Sequence, residues 1–216
     1  MPKKTLPPRG FMFATMEPPS ALEEEFQDWY DTEHFPERAG CDGFDRAMRF
    51  VCIDGWPRYL AAYDLADPGV LARAGYAAIA VKRYTPWTHR IIAKVWGQYR
   101  AAGTQVYPGR ALYGDGGASA RLVLWRFRNV AAGAETGIVA AMRAAYEGRP
   151  ETAQVRVFLA PQGESADCIA LIELRWPCAA PALDVALLGA AARCVDAVNT
   201  YVPYQRQNAG AFPAVR

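Results

Sequence analysis

The segment Trp29-Tyr30-Asp31-Thr32-Glu33-His34 holds the residues best suited to chemistry in this chain. His34 and His89 are the only two histidines, and histidine is the side chain whose ordinary pKa lies nearest neutrality. At the helical advance of about 100° per residue, Leu22, Phe26, Trp29 and Tyr30 form one apolar stripe. Glu33 falls within that stripe and His34 lies on its edge, whereas Glu24, Glu25, Asp28 and Asp31 project to other faces as solvated charges. A carboxylate on an apolar face must pair, take up a proton or face a polar cavity. In a helix that ends near His34, the negative end of the dipole favours a protonated His34 and disfavours an ionised Glu33. An acid/base pair poised near neutrality is what proton transfer needs. A structural use stands beside this one: Glu33 and His34 cap the helix end or bond to Arg38. His89, within Trp87-Thr88-His89-Arg90, reads as a second acid/base group, a haem ligand or a surface histidine.

The elements that must position these residues run in the same order twice. A β-type run from Phe11 to Met16 is followed by a helix from Ser20, with Glu23 as the partner of a capping box. That helix is expected to stop near His34, because Pro36 disfavours α conformation at Phe35. Strand-like runs at Arg46 to Ile53 and Tyr59 to Leu65 form an antiparallel hairpin, and a second helix spans about Pro68 to Lys82. The order returns with a strand from Arg121 to Arg128, a helix from Thr136 to Glu147, strands at Gln154 to Leu159 and Cys168 to Arg175, and an Ala/Leu-rich helix from Ala182 to Asn199. The stripe Ile138, Met142, Ala145, Tyr146 repeats the spacing of Leu22, Phe26, Trp29, Tyr30. Closing strands are expected within Val95 to Tyr107 and near Tyr201 to Gln205, where Pro203 restricts the strand to an edge or a bulge. Thr85-Pro86-Trp87-Thr88 either caps a further helix or turns the chain, and Gly114-Asp115-Gly116-Gly117 is the linker.

This is an α+β chain of tandem ferredoxin-like repeats, β-α-β-β-α-β in each half. One such unit leaves a sheet face bare, and the other repeat is the simplest cover, giving antiparallel sheets packed face to face. A cleft between them is one place for a small molecule. The division is a tail over 1–9, a first repeat over 10–110, a linker over 111–119 and a second, degenerate repeat over 120–216.

The stretch Glu25 to Arg38, with Gly43-Phe44 and Ala47-Met48-Arg49, resembles EthD-like proteins of the dimeric α+β barrel superfamily. Their hallmark resembles W-Y-x-x-E-H-x-P-x-R followed by a G-F strand with a basic residue. Trp29, Tyr30, Glu33, His34, Pro36, Arg38, Gly43, Phe44 and Arg49 meet it here, and Pro57 to Tyr63 resembles the third strand. The similarity covers residues 10 to 108. It implies a ferredoxin-like fold with sheet-to-sheet pairing and a pocket between sheet and helices. The Glu-His pair on the stripe makes His34 the expected general acid or base and Glu33 the group that orients it or shares its proton, with Tyr30 or Arg49 holding an oxyanion or carboxylate and Trp29 and Tyr63 on the substrate. The reactions expected are isomerisation, cyclisation, lactone chemistry or cofactor-free oxygenation of a small aromatic or polyketide-like compound. The superfamily holds cofactor-free monooxygenases, muconolactone-type isomerases, polyketide cyclases, haem enzymes and proteins without assigned activity, so fold alone does not choose the reaction. The second half departs from the motif, with Arg149 and Pro150 opposite Glu33 and His34. One site per chain is therefore expected.

Composition narrows the classes. The 24 Lys+Arg against 22 Asp+Glu leave +2, without the clustered basic footprint that nucleic-acid binding needs. No stretch approaches the roughly 18 apolar residues of a membrane span, and the N-terminus lacks the apolar core of a secretory signal, so a cytoplasmic location is expected. Five cysteines without CxxC make neither a disulfide framework nor a zinc site, and they read as small buried hydrophobes. Among Trp56, Tyr59, Tyr63, Tyr76, Trp87, Trp96 and Tyr99, pocket lining competes with core packing. The expected partner is a small, partly apolar organic molecule, with no metal and no cofactor; homodimerisation stays open. Alternatives are a non-catalytic binding or assembly module, and a haem enzyme using His34 or His89.

Overall fold

Alternation along the strands decides which side chains meet. In β1 (Gly10–Glu17), Phe11 and Phe13 join one apolar cluster and Met12 and Met16 another. The same division runs through all eight strands of the computed structural model, which describes residues 6–80 and 83–204. The strands are β1, β2 (Phe44–Asp54), β3 (Tyr59–Leu65), β4 (Trp96–Tyr107), β5 (Arg121–Val130), β6 (Thr152–Gln162), β7 (Ser165–Leu174) and β8 (Val195–Pro203). They close into an antiparallel barrel in the order β1-β3-β2-β8-β5-β7-β6-β4. Strands β1–β4 and β5–β8 thus each take the order 4-1-3-2. The seams pair Cys52 with Tyr201 and Thr104 with Leu159.

The barrel interior is packed with side chains from every strand, among them Phe11, Phe50, Leu60, Ala101, Leu122, Phe158, Leu171 and Tyr201. This packed cluster stands among the described residues where a cleft between the sheets was expected. Phe11 and Phe158, one from each half, meet with ring centroids 4.6 Å apart. Toward one end lies a buried charge cluster. Arg156 donates from Nη1 to Asp64 at 2.7 Å and from Nε to Glu173 at 3.1 Å. The linker covers this end: the Tyr113 N–H donates to Asp64 and the Gly114 N–H to Glu173.

Outside the barrel each half carries its own layer. Over β5–β7 lie α5 (Glu135–Tyr146) and a 3₁₀ run, Val185–Cys194, in one continuous apolar cluster. Over β1–β4 lie α1 (Glu23–Trp29), a π-helical turn (Tyr30–His34), α2 (Phe35–Ala39), α3 (Ala74–Ala77) and α4 (Pro86–Ile92). No helix among the described residues is long and apolar enough to cross a membrane.

Several expectations are corrected. Ser20 makes no capping box: a 3₁₀ turn precedes α1, and the Glu23 carboxylate accepts from Arg58 and Tyr59 instead. The helix does not stop at His34. The π turn widens the spiral, and Pro36 enters the first turn of α2, where a missing N–H costs nothing. The helix expected over Pro68 to Lys82 is a 3₁₀ turn, Pro68–Ala72, followed by α3, broken by extended backbone at Arg73; Val81 and Lys82 lie outside the described residues. The Ala182–Asn199 helix is replaced by the 3₁₀ run and the first half of β8. Gly189, at φ 51°, takes a left-handed conformation that interrupts helical backbone. Tertiary pairing of Val195 to Asn199 with β5 then overrides the helical propensity of the composition. Strand β8 is also interior to the sheet rather than an edge, with Pro203 as its last residue; Gln205 lies outside the described residues. Thr85 does cap α4, accepting from the Thr88 N–H at 3.0 Å. Only Cys168 is buried; the other four cysteines are partly exposed.

Candidate functional site

Between the outer face of β1, β3 and β4 and the helices of the first half lies a cavity of about 390 Å³. Strand alternation supplies its floor, with Met12 and Met16 from β1, Tyr63 from β3, and Gln98 and Arg100 from β4. The helical run supplies Tyr30, His34 and Arg38, while Tyr76 and Tyr84 close the side. In the second half, Ile138, Met142, Ala145 and Tyr146 of α5 pack in one apolar cluster with β5–β7. Arg149, the residue opposite Glu33, caps α5 by donating to the carbonyl of Ala145.

The π turn sets the orientation of His34. A five-residue turn, closed by the Phe35 N–H on the carbonyl of Tyr30, shifts the phase of the helix relative to a strict α spiral. His34 consequently goes beneath the helix, 5% exposed, rather than to the edge of the stripe. Its ring lies against Trp29 at 4.2 Å between centroids and meets Tyr30 edge-on at 5.2 Å. Burial pushes its pKa well below the ordinary 6.5, and the Arg38 and Arg49 charges push the same way. The imidazole is therefore neutral at pH 7, which reverses the expectation of a helix end favouring the protonated ring. The helix runs on to Ala39, so no carbonyl terminus faces His34. Its Nδ1 is buried without a hydrogen-bond partner, and so is the Tyr63 hydroxyl. Burial holds the Tyr63 phenol well above its usual pKa, so it stays a donor.

Glu33 is not on His34. Its Oε1 accepts from the Thr85 hydroxyl at 2.6 Å and from the Thr88 hydroxyl at 2.8 Å. The Thr88 oxygen in turn accepts from Trp29 Nε1 at 2.9 Å. This network pins the N-terminus of α4 to the helix that carries His34. Trp29 is fully buried and acts as a wall behind the imidazole, outside the cavity lining.

Arg49 is also withdrawn from the cavity. Its guanidinium is sandwiched between the rings of Tyr30 and Tyr204, 4.2 and 4.0 Å from their centroids. It ion-pairs with Asp31 and donates to Gln27 Oε1 at 2.6 Å. Asp31, expected as a solvated charge, is part of this buried clamp. Of the expected binding residues, Tyr30 and Tyr63 reach the cavity and Trp29 and Arg49 do not.

Of the other aromatics weighed for the pocket, Tyr76 and Tyr99 line it. Trp56 and Trp96 are surface residues, 55% and 63% exposed. Trp87 donates to Glu25, and His89 is exposed on α4. Arg38, Tyr84 and Arg100 were missed as pocket residues. Arg38 stood in the motif, and outward alternation from Gln98 would have found Arg100; nothing in the pattern marked Tyr84. Among the described residues no group of His, Cys, Asp and Glu is placed to hold a metal ion.

No protein-family model matches the sequence, and no curated protein matches it. Solved structures match the fold. One, described as an anthrone oxidase-like protein, is 13% identical with a TM-score of 0.62, over 94% of this chain and 93% of the other. Chlorite dismutase from Candidatus Nitrospira defluvii, solved in complex with imidazole, is 12% identical with a TM-score of 0.51, over 92% and 93%. These proteins belong to the dimeric α+β barrel superfamily. The chain shares their fold, an eight-stranded closed barrel.

Proposed function

We propose that this chain is an EthD-like enzyme of small-molecule metabolism, with one acid/base site in its first half. In this reading residues 10–110 and 120–216 are two ferredoxin-like repeats joined through 111–119. They close on each other as two separate subunits otherwise would, and the second repeat has lost the site. The shared 4-1-3-2 strand order supports the duplication. The W-Y-x-x-E-H-x-P-x-R pattern and the anthrone oxidase-like fold support the class.

The observation that carries the function is a buried, neutral imidazole at the helical wall of an apolar cavity, with Nδ1 unpartnered and an unpartnered hydroxyl on Tyr63 of the strand floor. A buried polar atom without a partner is costly, so a bound compound that supplies the missing bonds is favoured. His34 takes a proton from an acidic C–H or O–H of the compound. The electron pair left behind resides on an oxygen that accepts from Tyr63, and His34 returns the proton at another position. That sequence needs no co-reactant and gives isomerisation or cyclisation of a small aromatic or polyketide-like compound. Glu33 serves as a positioning residue through Thr85 and Thr88. Tyr30 stacks on Arg49 and holds the imidazole edge.

The test uses cyclic 1,3-diketones and anthrone-type ketones in D₂O, with deuterium entry followed by NMR. Removing a general base costs about 10²–10⁴-fold. His34→Gln should slow exchange by about that factor, and Tyr63→Phe by less. Equal exchange in a folded His34→Gln protein would remove His34 from the chemistry.

A further inference from the structure

The cavity is lined by two arginines and by no aspartate or glutamate among the described residues. An apolar pocket with uncompensated cations selects for negative charge in its occupant. The two arginines are not equivalent. Arg38 is buried and already engaged: its Nη1 donates to the carbonyl of His34 at 2.9 Å, and Glu37 lies 3.6 Å away. Arg100 is exposed at the mouth, and its described partners are neutral. Its Nη2 lies 3.3 Å from the Tyr76 hydroxyl and 3.3 Å from Met12 Sδ. No described carboxylate pairs with it, whereas Arg9, Arg49 and Arg58 of the same half each have one.

Arg100 stands on β4 and His34 on the helical run, and both line the cavity. A ligand there meets an exposed guanidinium as well as the imidazole and the Tyr63 hydroxyl.

Building on the reading of this cavity as a small-molecule site, we propose that its occupant is an organic monoanion, a planar apolar body with one carboxylate or acidic enolate. The anionic group sits on Arg100, with the Tyr76 hydroxyl as second donor. Arg49, expected from the sequence to hold such a group, cannot, because its own charge is spent on Asp31 and its two faces are covered by tyrosines. Arg100 is thus a specificity-determining residue. A guanidinium binds a carboxylate with two parallel bonds, which a neutral amide on the ligand cannot reproduce.

The test is calorimetric titration of the full chain at low ionic strength with 1-hydroxy-2-naphthoate and its uncharged analogue 1-hydroxy-2-naphthamide, which share shape and ring system. The anion should bind wild type with a Kd at least about tenfold lower than the amide. Arg100→Gln should reduce that preference to less than about threefold, and Arg100→Lys should keep part of it. Because Arg100 is exposed, both variants should melt as wild type does, and this is measured alongside. Equal binding of the two probes, a preference that survives Arg100→Gln, or binding of neither would overturn the proposal. Binding is read without turnover. Loss of the charge preference leaves the deuterium-exchange result untouched, and loss of exchange in wild type leaves the charge preference standing.

Discussion

Replacing Glu33 separates its two conceivable uses, because the structure gives the carboxylate partners that have nothing to do with proton transfer. One oxygen accepts from both Thr85 and Thr88, and hydrogen bonds to a charged group are each worth about 1.5–3 kcal/mol. Glu33→Gln keeps an acceptor oxygen and loses the charge, so roughly half of the two-bond total should go, about 1.5–3 kcal/mol. Glu33→Ala leaves the Thr88 hydroxyl, which still accepts from Trp29, with no acceptor of its own. It should cost about 2–4 kcal/mol. For a chain of this size 1 kcal/mol corresponds to about 2–4 °C in melting temperature. The expected losses are therefore roughly 3–12 °C for Glu33→Gln and up to about 16 °C for Glu33→Ala. Urea denaturation followed by far-ultraviolet dichroism gives the free energies. A Glu33→Ala, Thr88→Val cycle gives the coupling, which should exceed about 1 kcal/mol. The decisive companion measurement is the His34 titration by NMR. A positioning residue leaves it within about 0.3 units of wild type, since Glu33 is bonded to threonines and not to the ring. A Glu33→Ala protein that melts with wild type, yet shifts the His34 titration or abolishes exchange, would refute this assignment.

Three further outcomes follow from buried charge. The His34 resonance should titrate well below pH 6.5, and Arg38→Met should raise it, because after burial the Arg38 charge is the stronger of the two cationic effects that lower it. The folded pKa is depressed, so the unfolded chain takes up this proton first. His34 therefore leaves stability intact above about pH 6.5 and subtracts from it as pH falls toward the folded value; His34→Gln should flatten that part of the profile. In the barrel, Arg156→Met strands Asp64 and Glu173 and should cost about 3–5 kcal/mol at pH 7, read from urea midpoints at constant slope. Burial already raises Glu173 above its ordinary 4.5, and losing Arg156 raises it further. The deficit should therefore shrink as pH falls toward 4.5 and the carboxylate takes up its proton.

Strand positions were readable from the sequence as short, nearly continuous apolar runs, as in β1, β3 and β5, because these strands are buried on both faces. The helical layer was less readable. Two of the segments over the sheet carry helix-forming composition, yet Arg73 and Gly189 break them, and the demand that β8 close the barrel outweighs propensity over Val195–Asn199. The interior salt cluster was beyond pattern reading. Arg156 alternates with Val155 and Val157 like any half-exposed strand residue, and only closure of the barrel shows that its face is covered on both sides. For the site, the motif located His34, Tyr30 and Tyr63 but assigned Arg49 and Trp29 to the ligand, because residue type does not tell whether a cation already has its carboxylate.

The π turn explains why the helix stripe was both informative and misleading. An α spiral carried past Tyr30 places Glu33 inward and His34 at the margin, which made the pair look like partners. The wider turn changes the phase after Tyr30. His34 comes to lie under the helix against Trp29, and Glu33 swings toward α4. The same feature lets Pro36 stand inside a continuous helical run instead of ending it. The second half supplies the control within the molecule. Its helix α5 is regular and no histidine follows Tyr146; the Tyr146 hydroxyl accepts from Trp125 at 3.1 Å, and the layer below is packed. With similar stripes on both helices, the turn and the residues it reorients, rather than the barrel, distinguish the helical layer that lines this cavity from the one packed over β5–β7.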